Sequence, residues 1–360
     1  MRLQPLRYVL VCSVTFFSIL FSPRGTFFQL SHNQIIRGDE SMKIIWRILA
    51  VVVVLLIVAG AVFYFYPLAV SDQQVRLRLW RAGVRSEYVD AGGYRMHYLE
   101  ALPPEGVAGT PLLLVHGLGA RGEDWAAMIP ALAAKGFHVY APDLLGYGRS
   151  PKPDVTYSIS MQEMAVVQFM KAVHLARADV GGWSMGGWIS LKLALDHPEL
   201  VDRLIVYDSA GIYFPATFGP ELFTPKDTAG VRKLMTTLTP KPAHIPDFAA
   251  KAIVRKLQAN AWVLQRSMAA MMSGHDLLDF RLHTIQEPTL IVWGAQDALI
   301  PLSVGETMHA SIPHSTLDVV EGCGHLAPLD CSKPVIEATV EFLRAEPPMQ
   351  NGEKDFPVVK

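Results

Sequence analysis

The sequence predicts an α/β protein: a mostly parallel sheet covered by helices, with an inserted helical cap and one transmembrane helix ahead of it. Three observations carry that reading. From Ser86 onward, short apolar runs alternate with amphipathic stretches, as in a parallel sheet wrapped on both faces. Residues 211–283 interrupt the alternation without a strand signal. Between Arg47 and Asp72 run 24 residues without a charge, enough to span a bilayer as a helix. The 360 residues are 51% apolar and 18% charged, which excludes a disordered chain. Lys plus Arg number 32 and Asp plus Glu 33, a net charge of −1, so no global field favours nucleic acid as a partner.

In chain order, the first feature is an apolar stretch from Tyr8 to Ser22, short for a span. Met42-Lys43-Ile44-Ile45 then reads as the start of a signal or an anchor. Residues 1–41 are expected to be a leader or an over-long gene model, with Arg37-Gly38-Asp39-Glu40 encodable by a purine-rich run. Residues 44–70 are expected to form a retained single-pass anchor in the lipid bilayer. Phe63-Tyr64-Phe65-Tyr66 suits an interfacial aromatic belt. The alternative is a cleaved signal peptide, with Lys43 and Arg47 as its basic start and Ala59-Gly60-Ala61 as its small-residue site. Four bulky aromatics beyond that site speak against it. Lys43 and Arg47 favour a cytoplasmic N-terminus and a catalytic domain outside the inner membrane, whereas Arg76, Arg78, Arg81 and Arg85 argue the opposite. Residues 71–85 read as a juxtamembrane helix suited to headgroups or as a solvated linker. Cys12, Cys323 and Cys331 make no disulfide scaffold and no zinc spacing; Cys323 and Cys331 are read as unpaired.

The domain proper is expected over 86–346. Glu87 to Asp90, a Gly92-Gly93 turn and Tyr94 to Glu100 predict a β-hairpin. Apolar runs predict strands at Leu112–Val115, His138–Ala141, Ala178–Gly182, Leu204–Tyr207, Thr289–Trp293 and Thr316–Val320. Helices are expected at Glu123–Lys135, closed by Gly136, and at Ser158–Val173, Met185–Leu195 and Val335–Arg344. Within 211–283, prolines and the stretches Asp247–Leu257 and Ala261–Met272 predict a helical cap. Its Phe214, Phe218, Phe223, Phe248, Trp262, Met268, Met271 and Met272 exceed what a small cap can bury, so some are expected to line a lipophilic pocket. Residues 347–360 read as a polar tail.

Chemistry gathers at the strand ends. Gly182-Trp183-Ser184-Met185-Gly186 is a G-x-S-x-G sequence between a predicted strand and a predicted helix, where a strained turn would hold the serine oxygen out. A serine needs a base. Of twelve histidines, His325 stands directly after the last predicted strand, in Glu321-Gly322-Cys323-Gly324-His325. His116 is expected to shape its own loop. His97, His138, His174 and His197 fall inside predicted elements. The orienting acid is read as Asp297, in the loop after the penultimate strand, with Asp208 as the alternative. The oxyanion requires two backbone amides, read as those of Met185 and of Leu118 in His116-Gly117-Leu118-Gly119.

Together with Asp143-Leu144-Leu145-Gly146-Tyr147-Gly148-Arg149-Ser150, these motifs resemble the α/β-hydrolase superfamily over about Ser86 to Ala345. The anchor, the G-x-S-M-G elbow, the cap and the closing Gly-Cys-Gly-His resemble in particular its membrane-anchored monoacylglycerol lipase and esterase branch. The resemblance implies an α/β-hydrolase fold and a serine triad of Ser184, Asp297 and His325 that needs no metal or cofactor. The apolar cap residues predict the substrate, a small-molecule acyl ester of medium or long chain such as a monoacylglycerol. Carbon–carbon-bond hydrolases of the same fold use the same triad and remain an alternative, as does an anchored, non-catalytic binding module. The sequence gives no reading of oligomeric state.

Overall fold

The computed structural model describes residues 32–346 and 352–356; the stretch from Tyr8 to Ser22 lies outside them. The chain divides into two compact units, with the boundary after Phe63. The first holds most of helix α1 (His32–Phe65), whose Met42–Phe65 portion is long and apolar enough to cross a membrane and is nowhere buried. This helix stops short of expectation. Tyr66 leaves helical geometry at φ −129° and ψ 49°, and Pro67 opens α2 (Pro67–Arg81). Proline lacks an amide hydrogen and disfavours a helical residue before it, so it starts a helix more readily than it continues one. The single span expected over 44–70 is therefore two helices. In the second unit α2 buries Leu79. It is held by Arg76 on Glu123 at 2.8 Å and Asp72 on Arg121 at 2.6 Å.

Among the described residues the second unit has nine strands: β1 (Arg85–Ala91), β2 (Tyr94–Ala101), β3 (Thr110–Val115), β4 (Phe137–Pro142), β5 (Ala178–Trp183), β6 (Val201–Tyr207), β7 (Thr289–Gly294), β8 (Ser315–Val320) and β9 (Gly352–Phe356). They lie in the order β1-β2-β4-β3-β5-β6-β7-β8-β9. The pairings β1–β2 and β2–β4 are antiparallel, and all others are parallel. The β9 pairing corrects the expected tail: residues 352–356 add a parallel strand to β8. Their sequence, Gly-Glu-Lys-Asp-Phe, carries no apolar run or alternation to announce it.

The period of two along each strand divides the core. Leu113 and Val115 of β3, Leu204 and Val206 of β6, and Ile291 of β7 join one apolar cluster; Leu112, Leu114, Ile205, Leu290 and Val292 join the other. The remaining helices are α3 (Met128–Ala133), α4 (Ile159–Ala172), α5 (Met185–Asp196), α6 (Thr228–Leu238), α7 (Asp247–Ala259), α8 (Ala261–Met272), α9 (Leu302–Ser311), α10 (Ala327–Asp330) and α11 (Ser332–Arg344). Val166 of α4, Ile189 of α5 and Met308 of α9 cover the first face, and Leu132 of α3 and Phe342 of α11 cover the second.

Local chemistry sets the helix ends. Ser158 caps α4 by accepting Met161 N–H at 3.1 Å, and Asp227 caps α6 by accepting Gly230 N–H at 2.7 Å. The helix expected over 123–135 is broken into a 3₁₀ turn, Gly122–Trp125, and the short α3. Between Tyr207 and Thr289 no strand occurs; α6, α7 and α8 form the insertion there. Tyr147 and Ser267 hydroxyls, 2.6 Å apart, tie α8 to the loop after β4.

Candidate active site

Parallel register brings the loops after β3, β5, β6, β7 and β8 to one edge of the sheet. Val115 pairs with Gly182, Trp183 with Tyr207, and Gly294 with Val320. Ser184 follows β5 directly and takes φ 57°, ψ −118°. This left-handed geometry is rare for a residue with a Cβ. Three main-chain bonds hold the turn: Ser184 N–H to Tyr207 O at 2.9 Å, and Ala210 N–H and Trp188 N–H to Ser184 O, each at 3.2 Å. Glycine is required beside it. A Cβ on Gly182 would overlap Gly186 O, and one on Gly186 would overlap Val115 O.

His325 Nε2 lies 2.9 Å from Ser184 Oγ, and His325 Nδ1 lies 2.8 Å from Asp297 Oδ2. Asp297 Oδ1 accepts Leu299 N–H at 2.8 Å and Ile300 N–H at 2.9 Å. Both His325 and Asp297 are buried. Trp183 Nε1 donates to His325 O at 2.7 Å, which fixes the histidine loop against the elbow.

The second candidate acid, Asp208, is fully buried and accepts Gly294 N–H at 2.7 Å. Burial pushes its carboxyl well above the usual range, and the neighbouring Asp297 charge adds to the push. Thus Asp297 meets His325, while Asp208 braces the loop that carries Asp297. Asp208 sits at φ +44°, a second strained position beside the site.

Leu118 and Met185 both line the cavity in front of Ser184. Met185 N is the first amide of α5 and has no intrahelical acceptor. Gly117 brings the Leu118 loop against the serine: a Cβ there would stand 3.2 Å from Ser184 Cβ. His116 shapes that loop as expected, with Nδ1 donating to Gly117 O at 2.8 Å and Nε2 accepting Leu144 N–H at 3.0 Å. Burial lowers its pKa and keeps it neutral.

The cavity has a volume of about 600 Å³. Of the cap residues expected to line it, Phe214, Phe218, Phe223, Met268, Met271 and Met272 do so. Phe248 stacks on Tyr64 instead, and Trp262 packs edge-on against Tyr157. One lining residue was not legible in the sequence. Asp124 enters from the 3₁₀ turn, and burial raises its pKa although Arg121 opposes the shift.

The histidine loop also corrects the reading of the cysteines. Cys323 and Cys331, with Cα atoms 6.3 Å apart, form a disulfide that brackets His325.

Residues 110–330 match the family model described as alpha/beta hydrolase fold. The chain is 30% identical over 289 residues to the 2-hydroxymuconate semialdehyde hydrolase of Pseudomonas sp. strain CF600, covering 76% of this chain and 95% of that one. It is 30% identical over 269 residues to lipase 1 of Psychrobacter immobilis, covering 70% of this chain and 79% of that one. Among solved structures, a membrane phospholipase A, a bacterial virulence factor, superposes with a TM-score of 0.70 at 27% identity, covering 82% of this chain and 97% of that one.

Proposed function

We propose that this chain, which belongs to the α/β-hydrolase family, cleaves lipophilic carboxylic esters such as monoacylglycerols through an acyl-enzyme. One observation carries the reading: the Ser184–His325 contact of 2.9 Å opens onto a cavity walled by cap phenylalanines and methionines. In this mechanism Ser184 Oγ attacks the ester carbonyl and its proton passes to His325 Nε2. Asp297 accepts the Nδ1–H bond, fixes the tautomer and stabilises the imidazolium. The amides of Leu118 and Met185 receive the oxyanion. His325 then protonates the leaving alcohol, and water repeats the sequence on the acyl group.

The relatives support carbon–carbon cleavage by the same triad as strongly, since one is named for a semialdehyde of hydroxymuconate and another is a lipase. The lining favours the ester. Its ionisable side chains are Asp124, Tyr213 and His325, with no Lys or Arg among the described lining residues. A hydroxymuconate would have to bury its carboxylate beside Asp124 in a lining that offers it no Lys or Arg, which is costly. A neutral ester meets no such penalty, and Asp124 can accept a hydroxyl from the alcohol half.

Purified protein assayed on p-nitrophenyl esters of graded chain length, beside a vinylogous diketone, tests the reading. Turnover rising from short to medium or long chains is expected. Turnover of the diketone alone would replace the ester by a carbon–carbon bond. Failure of a fluorophosphonate to label Ser184 would leave a binding module.

We further propose that the Met42–Phe65 segment anchors the enzyme in the bilayer, with the domain outside the inner membrane. The Cys323–Cys331 disulfide supports an oxidising compartment.

A further inference from the structure

Away from the Ser184 cavity, a second serine, histidine and carboxylate stand in line. Ser86 lies on β1, His97 on β2 and Asp143 directly after β4. Ser86 Oγ is 2.9 Å from His97 Nε2, and His97 Nδ1 is 2.7 Å from Asp143 Oδ2. The corresponding distances around His325 are 2.9 and 2.8 Å. The β-hairpin register produces the alignment. Ser86 pairs with Leu99 and Tyr88 with His97, so Ser86 and His97 are diagonal neighbours on one face of the sheet.

The proton positions follow from the donors. Arg149 Nη1 lies 2.9 Å from Ser86 Oγ, and a guanidinium can only donate. With a neutral imidazole, the Ser86 hydrogen is then directed to His97 Nε2, and His97 Nδ1–H is directed to Asp143. Asp143 is rigidly held. Its Oδ1 accepts Gly122 N–H at 2.7 Å, and its Oδ2 also accepts Arg149 N–H at 2.8 Å. Burial alone would raise its pKa, but the hydrogen bond from His97, joined by the Arg149 main-chain N–H, brings it below the usual range. His97 and Asp143 are buried while Ser86 is exposed, so base and acid are fixed and the hydroxyl is reachable. The hydroxyl opens into a separate cavity of about 470 Å³, whose charged walls are Arg76, Arg85 and Arg149 together with Glu87 and Glu123.

We propose that Ser86 is a second nucleophilic serine, activated by His97 and Asp143, that accepts a phosphoryl-type group from an activated organophosphorus donor. Arg76 and Arg149 are paired with Glu123 and Arg85 with Glu100, so the recognition rests on the one guanidinium that also reaches the serine: Arg149 Nη1, 2.9 Å from Ser86 Oγ, can face the oxygens of such a group. In the step, the Ser86 Oγ–P bond forms and the bond from phosphorus to its leaving group breaks. The leaving group departs with the electron pair, the serine proton moves to His97 Nε2, and Arg149 faces the charge that develops on the phosphoryl oxygen. This site is independent of the assignment of Ser184, because it shares no residue with it.

The test is made on full-length Ser184→Ala protein in detergent, treated with a small alkyl fluorophosphonate and followed by intact mass and peptide mapping. One phosphonyl adduct is expected on Ser86, absent from Ser184→Ala/Ser86→Ala. It should form on the order of a hundredfold faster than at the exposed Ser71 and Ser303 in the same sample, the scale of general-base assistance. His97→Gln should remove that advantage. No Ser86 adduct, labelling no faster than at Ser71 and Ser303, or labelling indifferent to His97→Gln in a folded protein would each overturn the proposal. Where His97→Gln does not fold, the comparison among serines in one sample decides.

Discussion

Two carboxylates follow adjacent strands here, and their surroundings give them different work. Asp297 accepts two loop amides and the His325 Nδ1–H, whereas Asp208 lies fully buried on Gly294 N–H. Asp297→Asn should lower kcat/KM on a p-nitrophenyl ester by roughly 10⁴-fold, because the amide presents the wrong partner to the imidazole. Asp208→Asn, whose oxygen can still accept Gly294 N–H, should cost about tenfold or less. The reverse order would transfer the acid role. Which aspartate meets His325 is decided by the contact itself; that both stand after a strand was legible. The role of Asp208 was not, since a brace between loops exists only once the loops meet. A third carboxyl concerns stability. Burial raises Asp179, on β5, to about 7. The unfolded chain ionises this group near 4, so the native state loses stability as pH rises from about 4 to about 7 and then levels off. Asp179→Asn should therefore raise Tm at pH 8 and change it little at pH 4, as calorimetry at the two pH values would show.

At the scale of elements, the elbow and the histidine loop differ in how far sequence reaches them. Gly182 and Gly186 flank Ser184 in a motif whose sterics the structure reproduces as backbone contacts. The pairing of Cys323 with Cys331 was not readable, because spacing alone does not fix connectivity. It depends on a tight loop and the short α10 returning the chain to within 6.3 Å. Closing so short a loop contributes about 2–3 kcal/mol. Cys331→Ser should lower Tm by several degrees and reduce kcat/KM on a p-nitrophenyl ester, since the bridged loop carries His325 and two residues of the cavity wall, Leu326 and Leu329. An unchanged Tm would mean that the bridge adds nothing to the fold. The helix boundary at Tyr66 belongs here too. Hydropathy carried the expected span to Val70, yet Pro67 set the end, a local backbone rule overriding an apolar run.

For the whole molecule, the strand–helix alternation made the sheet and its inserted cap legible; the edge strand β9 stayed hidden because backbone pairing leaves no mark in a polar sequence. Full-length protein is expected in the membrane fraction, resistant to high salt and released by detergent. Deletion of residues 1–65 should give a soluble form that still hydrolyses p-nitrophenyl butyrate but loses activity on esters held in vesicles. Recovery of a natural soluble form beginning at Val62 would instead show cleavage after Ala61. The position of the cap has a consequence of its own. Helices α6, α7 and α8 enter and leave the sheet between Tyr207 and Thr289, whereas Ser184, Asp297 and His325 lie outside that interval. Much of the cavity wall is thus carried on a stretch of chain separate from the reacting residues, with Asp124 reaching the same cavity from outside it. A lineage can rewrite the diet of this enzyme by editing one contiguous cassette, while the reaction itself is inherited untouched.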